Sequence, residues 1–176
     1  MLHSTKHRQR PKAQPQLSAR QRRIYEFLKS NPVGVLSSVT ASGGPHGVAL
    51  YFGIDEHFMI SFLTRRGTRK YDNIAHNNSV MLTVYCRETQ TTAQISGRAS
   101  EVRSDEQLIR IAAATLGTSL ATSKNGLPPI SKLQAGEYAA FTIKPTQIRI
   151  ATYARPEPGN YADLFESVES FELDAF

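Results

Sequence analysis

The chain of 176 residues has no tryptophan and one cysteine, Cys86. A single thiol excludes an internal disulfide and any multi-cysteine metal site. Cys86 lies between Tyr85 and Arg87 at a predicted strand end, with no base beside it to activate it, and reads as structural. No apolar run approaches the roughly 20 residues that a membrane helix needs. The basic N-terminal residues are followed by no apolar stretch, so a secretory leader is not expected. These absences point to a cytoplasmic protein without a membrane partner.

Acid is missing from residues 1–23, which hold Lys6, Arg8, Arg10, Lys12, Arg20, Arg22 and Arg23. Base is missing after Arg155, where Glu157, Asp163, Glu166, Glu169, Glu172 and Asp174 stand. The net charge of +6 therefore belongs to the arm, and the rest of the chain is close to neutral. The arm carries no aromatic platform, which argues against nucleic-acid binding and for a disordered, solvated segment. Three parts are expected: a disordered basic arm over 1–17, a folded domain over 18–154 and an acidic tail over 155–176.

Within the domain, Ser18 is placed as the N-cap of a helix reaching about Ser30, with Ile24, Tyr25, Phe27 and Leu28 as its apolar stripe. Residues 33–40 alternate as a strand, and Ala41 to Pro45 form a turn. A second strand is expected from His46 to about Ile54 and a third from Phe58, which together predict an antiparallel meander. Val80 to Tyr85 and Thr91 to Val102 make a fourth and a fifth strand. Ser104 caps a helix that Gly117 stops, with Leu108, Ile109, Ile111 and Ala112 facing the core; residues 118–135 read as loop. Strands over 138–143 and 148–153 are separated by a turn at Lys144-Pro145. Seven strands with helices inserted between them predict a small, mainly antiparallel barrel of the α+β class.

Residues 58–78, FMISFLTRRGTRKYDNIAHNN, carry the chemistry. A strand breaks at Arg65-Arg66-Gly67 and restarts as a helix with Thr68 at the N-cap position. The first-turn N–H groups of such a helix point outward and its dipole favours negative charge. Arg69, Lys70 and the hydroxyls of Thr64 and Thr68 gather there, a donor set suited to a phosphate monoester. A solvated basic turn capped by Thr68 is the plainer alternative. His46, His57 and His76 are scattered and read as surface or turn residues rather than metal ligands.

The stretch FLTRRGTRKYDNIAHNNSVMLTV resembles the strand–loop–helix of the pyridoxamine 5′-phosphate oxidase-like flavoproteins, the FMN-binding split barrels. Thr64, Thr68, Arg69, Lys70, Asn77 and Val80 stand where that pattern wants them. QTTAQISGRASEV, GGPHGVALYFGID and IKPTQIRI resemble further strands of the family in the same order, over roughly residues 22 to 153. The resemblance implies a split barrel with flanking helices, dimeric, with FMN between the subunits. It implies that Thr64, Arg69 and Lys70 bind the FMN phosphate, that Thr68 adds a hydroxyl, and that Phe62 and Leu63 flank the flavin. The family's flavin-contacting Gln falls on Thr92, and Gln94, two residues on, is placed to substitute.

Departures from the family set the function expected. The second strand lacks the family's basic residues, and no Trp follows Ile150 to Tyr153, where the oxidase proper holds pyridoxal phosphate. The resemblance therefore implies an FMN-dependent oxidoreductase or stress-protein-type flavoprotein acting on a small molecule rather than the vitamin B6 oxidase. A deazaflavin (F420) on the same barrel is the alternative cofactor, and a non-enzymatic flavin carrier the alternative role. Haem, which related barrels bind through a C-terminal His, is disfavoured because no His follows His76. No Asp, Glu or His is placed by motif as a catalytic acid or base.

Overall fold

The computed structural model describes residues 16–122, 137–155 and 164–173. Its elements are α1 (Ala19–Ser30), β1 (Val33–Val39), β2 (Pro45–Tyr51), β3 (Gly53–Ile54), β4 (Ile60–Arg65), α2 (Arg69–His76), β5 (Ser79–Cys86), β6 (Thr91–Glu101), α3 (Asp105–Thr122), β7 (Tyr138–Tyr153) and β8 (Phe165–Glu172). The Ser18 hydroxyl accepts from the Gln21 N–H at 3.2 Å and the Gln21 side chain accepts from the Ser18 N–H at 2.9 Å. This capping box starts α1, whose Ile24 and Leu28 are buried one turn apart.

The strands lie in the order β2-β1-β5-β6-β7-β4-β3, all antiparallel, with β8 added to β7. The two ends of that path, β2 and β3, are separated in the chain by Phe52 alone. One residue cannot bridge a flat sheet whose strands are spaced ~4.8 Å apart, so the sheet curls until its edges face each other. Phe52 is 1% exposed and its N–H donates to the Pro32 carbonyl at 2.9 Å. Alternate side chains fill the interior, among them Leu36, Leu50, Ile60, Phe62, Leu82, Ile95, Ile143 and Ile148. The fold is the antiparallel split barrel with flanking helices that the sequence predicts.

The route through it differs in four places. The β1–β2 hairpin forms, but the strand expected from His46 to about Ile54 breaks at Phe52: β2 stays with β1, while the short β3 pairs with β4 at the other end of the sheet, so the meander is interrupted. The strand expected from Phe58 begins at Ile60: Phe58 has φ 61°, and the Asp55 carboxylate accepts from the His57 and Met59 N–H groups at 2.9 Å each, closing a turn. That left-handed backbone is unfavourable for a side chain with a Cβ. Burial of the Phe58 ring, edge-on to Tyr25 and Phe171, offsets it. Residues 138–153 form one strand, not two. Its partner register shifts between Ser96, opposite Gln147, and Gly97, opposite Pro145, leaving Thr146 as the extra residue of a bulge. A bulge is where a strand tolerates a proline. Finally, α3 runs through Gly117 to Thr122 instead of stopping there. Leu108, Ile111 and Ala112 pack with Leu63, Val102 and Ala140 as expected, whereas Ile109 is 64% exposed.

Part of the acidic tail belongs to the sheet. β8 pairs with β7 from Gln147 to Tyr153, and Glu169 on it meets Arg20 at 2.7 Å and Arg23 at 2.8 Å on α1. Residues 1–15 of the basic arm, 123–136 of the expected loop, and 156–163 and 174–176 of the tail lie outside the described residues.

Gly97 is the point where β6 and β7 come closest. A Cβ there would meet the Lys144 carbonyl oxygen at 2.5 Å and Pro145 Cα at 3.0 Å, both backbone atoms. Gly97→Ala is predicted to cost about 1–3 kcal/mol by overpacking. Urea unfolding checks it; an unchanged midpoint would contradict the close approach.

Candidate functional site

β4 delivers Thr64, 3% exposed, to the end of the barrel interior, and the chain turns at Gly67 with φ 69°. At that conformation glycine carries no steric cost. Thr68 takes extended backbone angles as N-cap of α2, but its hydroxyl makes no cap bond. It donates instead to the Arg65 carbonyl at 2.8 Å and lies 3.1 Å from the Thr64 hydroxyl. The Lys70 ammonium donates to the same Thr64 hydroxyl at 2.9 Å. Lys70, the two threonine hydroxyls and the Arg65 carbonyl thus form one hydrogen-bonded cluster, with the Thr64 hydroxyl also 3.4 Å from that carbonyl. Because the Thr68 side chain is turned aside, the first-turn N–H groups of α2 stay available for an anion.

The four cations of this turn are unequal. Arg66 is held by Glu101 at 2.6 Å, and Arg65 lies 3.9 Å from Glu137. Arg69 is exposed and pairs with no acid among the described residues. Burial pushes the Lys70 pKa below the usual lysine range. Among the described residues it pairs with no carboxylate, and its partner is a neutral hydroxyl. An ammonium in that state gains from an arriving anion more than a solvated one does.

Thr64, Thr68 and Lys70 are thus brought into contact, with Arg69 adjacent in sequence and free. Phe62 and Leu63 sit beside them but turn their side chains elsewhere. Phe62 is stacked on Phe141 at 5.4 Å inside the barrel, and Leu63 packs under α3. What they can offer a ligand is backbone: β3 pairs only with Ile60 and Ser61, so among the described residues the β4 edge opposite β7 carries no strand from Phe62 onward. Thr92 and Gln94 are not brought to this turn. Thr64 pairs with Ala139 and Thr92 with Ala151 on the same strand β7, which separates them by ~40 Å along it at the usual strand rise.

Thr92 and Gln94 belong to the outer sheet face. Val35, Thr83, Gln94 and Arg149 stand in one cross-strand row, and Tyr85 is paired with Thr92. Val33, Val35, Met81 and Tyr85 are exposed on it, an apolar patch of the kind that marks a contact surface. A groove of about 540 Å³ opens in the same region, lined in part by Ser37, Met81, Ser96, Arg98 and Thr146.

Local pattern missed the residues that seat the turn. Asn73, 5% exposed, donates to the Ser38 hydroxyl at 3.0 Å and pins α2 to β1. Glu101 and Tyr71 hold Arg66 from two other elements. Nothing short-range signals these contacts. Among the described residues no three His, Cys, Asp or Glu side chains group closely enough to hold a metal ion. No helix there is long and apolar enough to cross a membrane.

A curled antiparallel sheet whose strand β4 turns into α2 at the barrel end defines a split-barrel protein. The family model described as pyridoxamine 5′-phosphate oxidase matches residues 21–152, and the chain belongs to that family. No curated protein matches it in sequence. Among solved structures it is similar to a pyridoxamine 5′-phosphate oxidase-related, FMN-binding protein from Nostoc punctiforme, at 15% identity over 92% of this chain and 100% of that one, TM-score 0.57. It is similar to an F420 reductase at 21% identity over 70% and 94% of the two chains, TM-score 0.55. It is also similar to a heme-binding protein from Mycobacterium smegmatis, at 15% identity over 90% of this chain and 59% of that one, TM-score 0.64. At these identities the likeness shows the fold, and proteins of that fold carry three different cofactors in their names.

The lowered Lys70 pKa has a consequence with a definite sign. A lysine whose folded pKa lies below its unfolded value destabilises the fold at neutral pH, and the penalty is relieved as pH rises from the folded pKa to the unfolded one. Lys70→Met is therefore predicted to leave the melting temperature at pH 7 equal or higher while weakening anion binding. A fall of more than ~2 °C, about 1 kcal/mol or less for a chain this size, would show that the Thr64 bond outweighs burial.

Proposed function

We propose that the chain is an FMN-dependent oxidoreductase of the pyridoxamine 5′-phosphate oxidase family, acting on a small molecule as a homodimer. The observation that carries this is the Lys70–Thr64–Thr68 chain of donors beside the unpaired Arg69, at a helix end whose cap residue leaves its N–H groups open. Family membership supports a flavin-type cofactor, and the donor set suits a phosphate monoester.

In this reading Lys70 and Arg69 hold the phosphate, Thr64 and Thr68 orient Lys70, and the free β4 edge at Phe62–Leu63 offers backbone groups to the flavin. When bound, the flavin supplies hydride or electron transfer, and the protein supplies position and exclusion of water. Thr92 and Gln94 lie too far along β7 to reach the same mononucleotide from the same chain. The exposed apolar face of Val33, Val35, Met81 and Tyr85, on which Thr92 and Gln94 also lie, supports a dimer in which a second copy covers that face and the cofactor lies between the subunits.

Pyridoxamine phosphate oxidation is not the activity proposed. Arg155, the nearest base to the position where the oxidase holds its substrate, donates to the Glu88 carbonyl at 2.7 Å, and the Tyr153 ring packs on Phe165 at 5.0 Å. Both are occupied with structure. A deazaflavin in place of FMN is the second reading, favoured by the likeness to the F420 reductase.

Replacing Arg69 and Lys70 together by Ala is predicted to weaken FMN binding at least ~100-fold, the loss of two charge-assisted contacts, while circular dichroism stays that of the parent. Equilibrium dialysis with FMN checks it; a double variant that retains flavin at parental stoichiometry would overturn the site. Val35→Asp is predicted to dissociate the dimer in analytical ultracentrifugation and to lower FMN affinity with it. A variant that stays dimeric would remove the outer face from the interface.

A further inference from the structure

Arg66 lies in the middle of the anion cradle yet points away from it. Its Nη1 is 2.6 Å from Glu101 Oε1 and donates to the Tyr71 hydroxyl at 3.1 Å. The same hydroxyl donates to Glu101 Oε2 at 3.1 Å, so the carboxylate is engaged through both oxygens. The guanidinium also lies over the Tyr71 ring, 5.7 Å from its centroid. Tyr71 in turn packs edge-on against Phe141 at 5.7 Å, and Phe141 is stacked on the buried Phe62. At its other end, the Arg66 N–H donates to the Glu137 carbonyl at 2.9 Å. Arg66 is thereby fixed by backbone and by tip to β6, to α2 and to the segment entering β7.

The residue that follows is Gly67, with φ 69° and no atom near where a Cβ would stand. Glycine at a left-handed position has the most freedom to lose on ordering and nothing of its own to hold it. The Thr68 hydroxyl and the first-turn N–H groups of α2 follow directly. Their aim depends on what fixes the residue before Gly67.

We propose that Glu101, acting through Arg66 and Tyr71, is a positioning residue for the anion site, fixing the Gly67–Thr68 turn in the shape that presents Thr68, Arg69 and the α2 N–H groups to a phosphate. This rests on the reading that Arg69 and Lys70 bind the FMN phosphate. Its signature is a sign. Glu101 is an acid beside an anion site, so charge alone predicts that its removal tightens FMN binding. Positioning predicts that removal weakens it, against the gain in positive charge.

The test uses the full chain with Glu101→Ala, Glu101→Gln and Tyr71→Phe, titrated with FMN and, separately, with riboflavin, which lacks the phosphate. Glu101→Ala is expected to raise the Kd for FMN ~10-fold, with Glu101→Gln and Tyr71→Phe intermediate at ~3-fold each, the scale of hydrogen bonds to charged groups. The Kd for riboflavin is expected to stay at the parental value in all of them. The Ala and Gln variants change the charge equally, so a difference between them reports geometry. Should Glu101→Ala fail to fold, Tyr71→Phe, which keeps every charge, carries the same comparison. FMN affinity unchanged or tightened, or riboflavin weakened in parallel, would overturn the positioning role. A parent chain that binds FMN no better than riboflavin would instead remove the anion site itself, and the proposal with it.

Discussion

The two end strands of the sheet are consecutive in the chain, with Phe52 alone between them, and this constraint shapes everything downstream. The chain leaves β2 at one edge and must enter β3 at the other, so the sheet closes on itself and its interior becomes the core. Closure also places β4 between the short β3 and β7, away from β2. That pairing sets Thr64 opposite Ala139 at the end of the barrel, and the chain has to turn there into α2. The cradle is the turn that the closed sheet imposes, furnished with hydroxyls and cations.

What makes the turn chemically useful is an imbalance left inside it. Lys70 is half-buried against a neutral hydroxyl, so the fold tolerates a desolvated ammonium that it could have paired with a carboxylate. Arg66, one turn away, shows the opposite arrangement, with a carboxylate and a phenol both engaged. Two basic side chains four residues apart thus sit differently: Arg66 is engaged by a carboxylate and a phenol, Lys70 by a hydroxyl.

Legibility followed sequence distance. Thr64, Thr68, Arg69 and Lys70 fall within seven residues, and a strand period breaking into a helix with a glycine between was enough to place them together. The Ser18 cap of α1 and the β1–β2 hairpin are local for the same reason. Contacts closed by tertiary pairing left no local mark. Lys144-Pro145 has the composition of a turn, yet a bulge opposite Gly97 carries the strand through it. Gly117 has the composition of a helix stop, yet no neighbour or left-handed backbone takes advantage of it, and α3 continues. Glu101 stands 30 residues from Tyr71 in sequence, with nothing in either neighbourhood to suggest the contact. Thr92 and Gln94 were legible as a face of β6 but not as lying far from Thr64, because only the register along β7 measures that separation.

The most direct measurement is the absorption spectrum and mass of the cofactor that heat releases from the chain as purified, followed by titration of the emptied chain with FMN. Flavin mononucleotide at close to one per chain, regained on titration and lost with dissociation of the dimer, is the expected result. A chain that releases no flavin and takes up none at saturating FMN would leave the barrel standing and the proposed function without its cofactor.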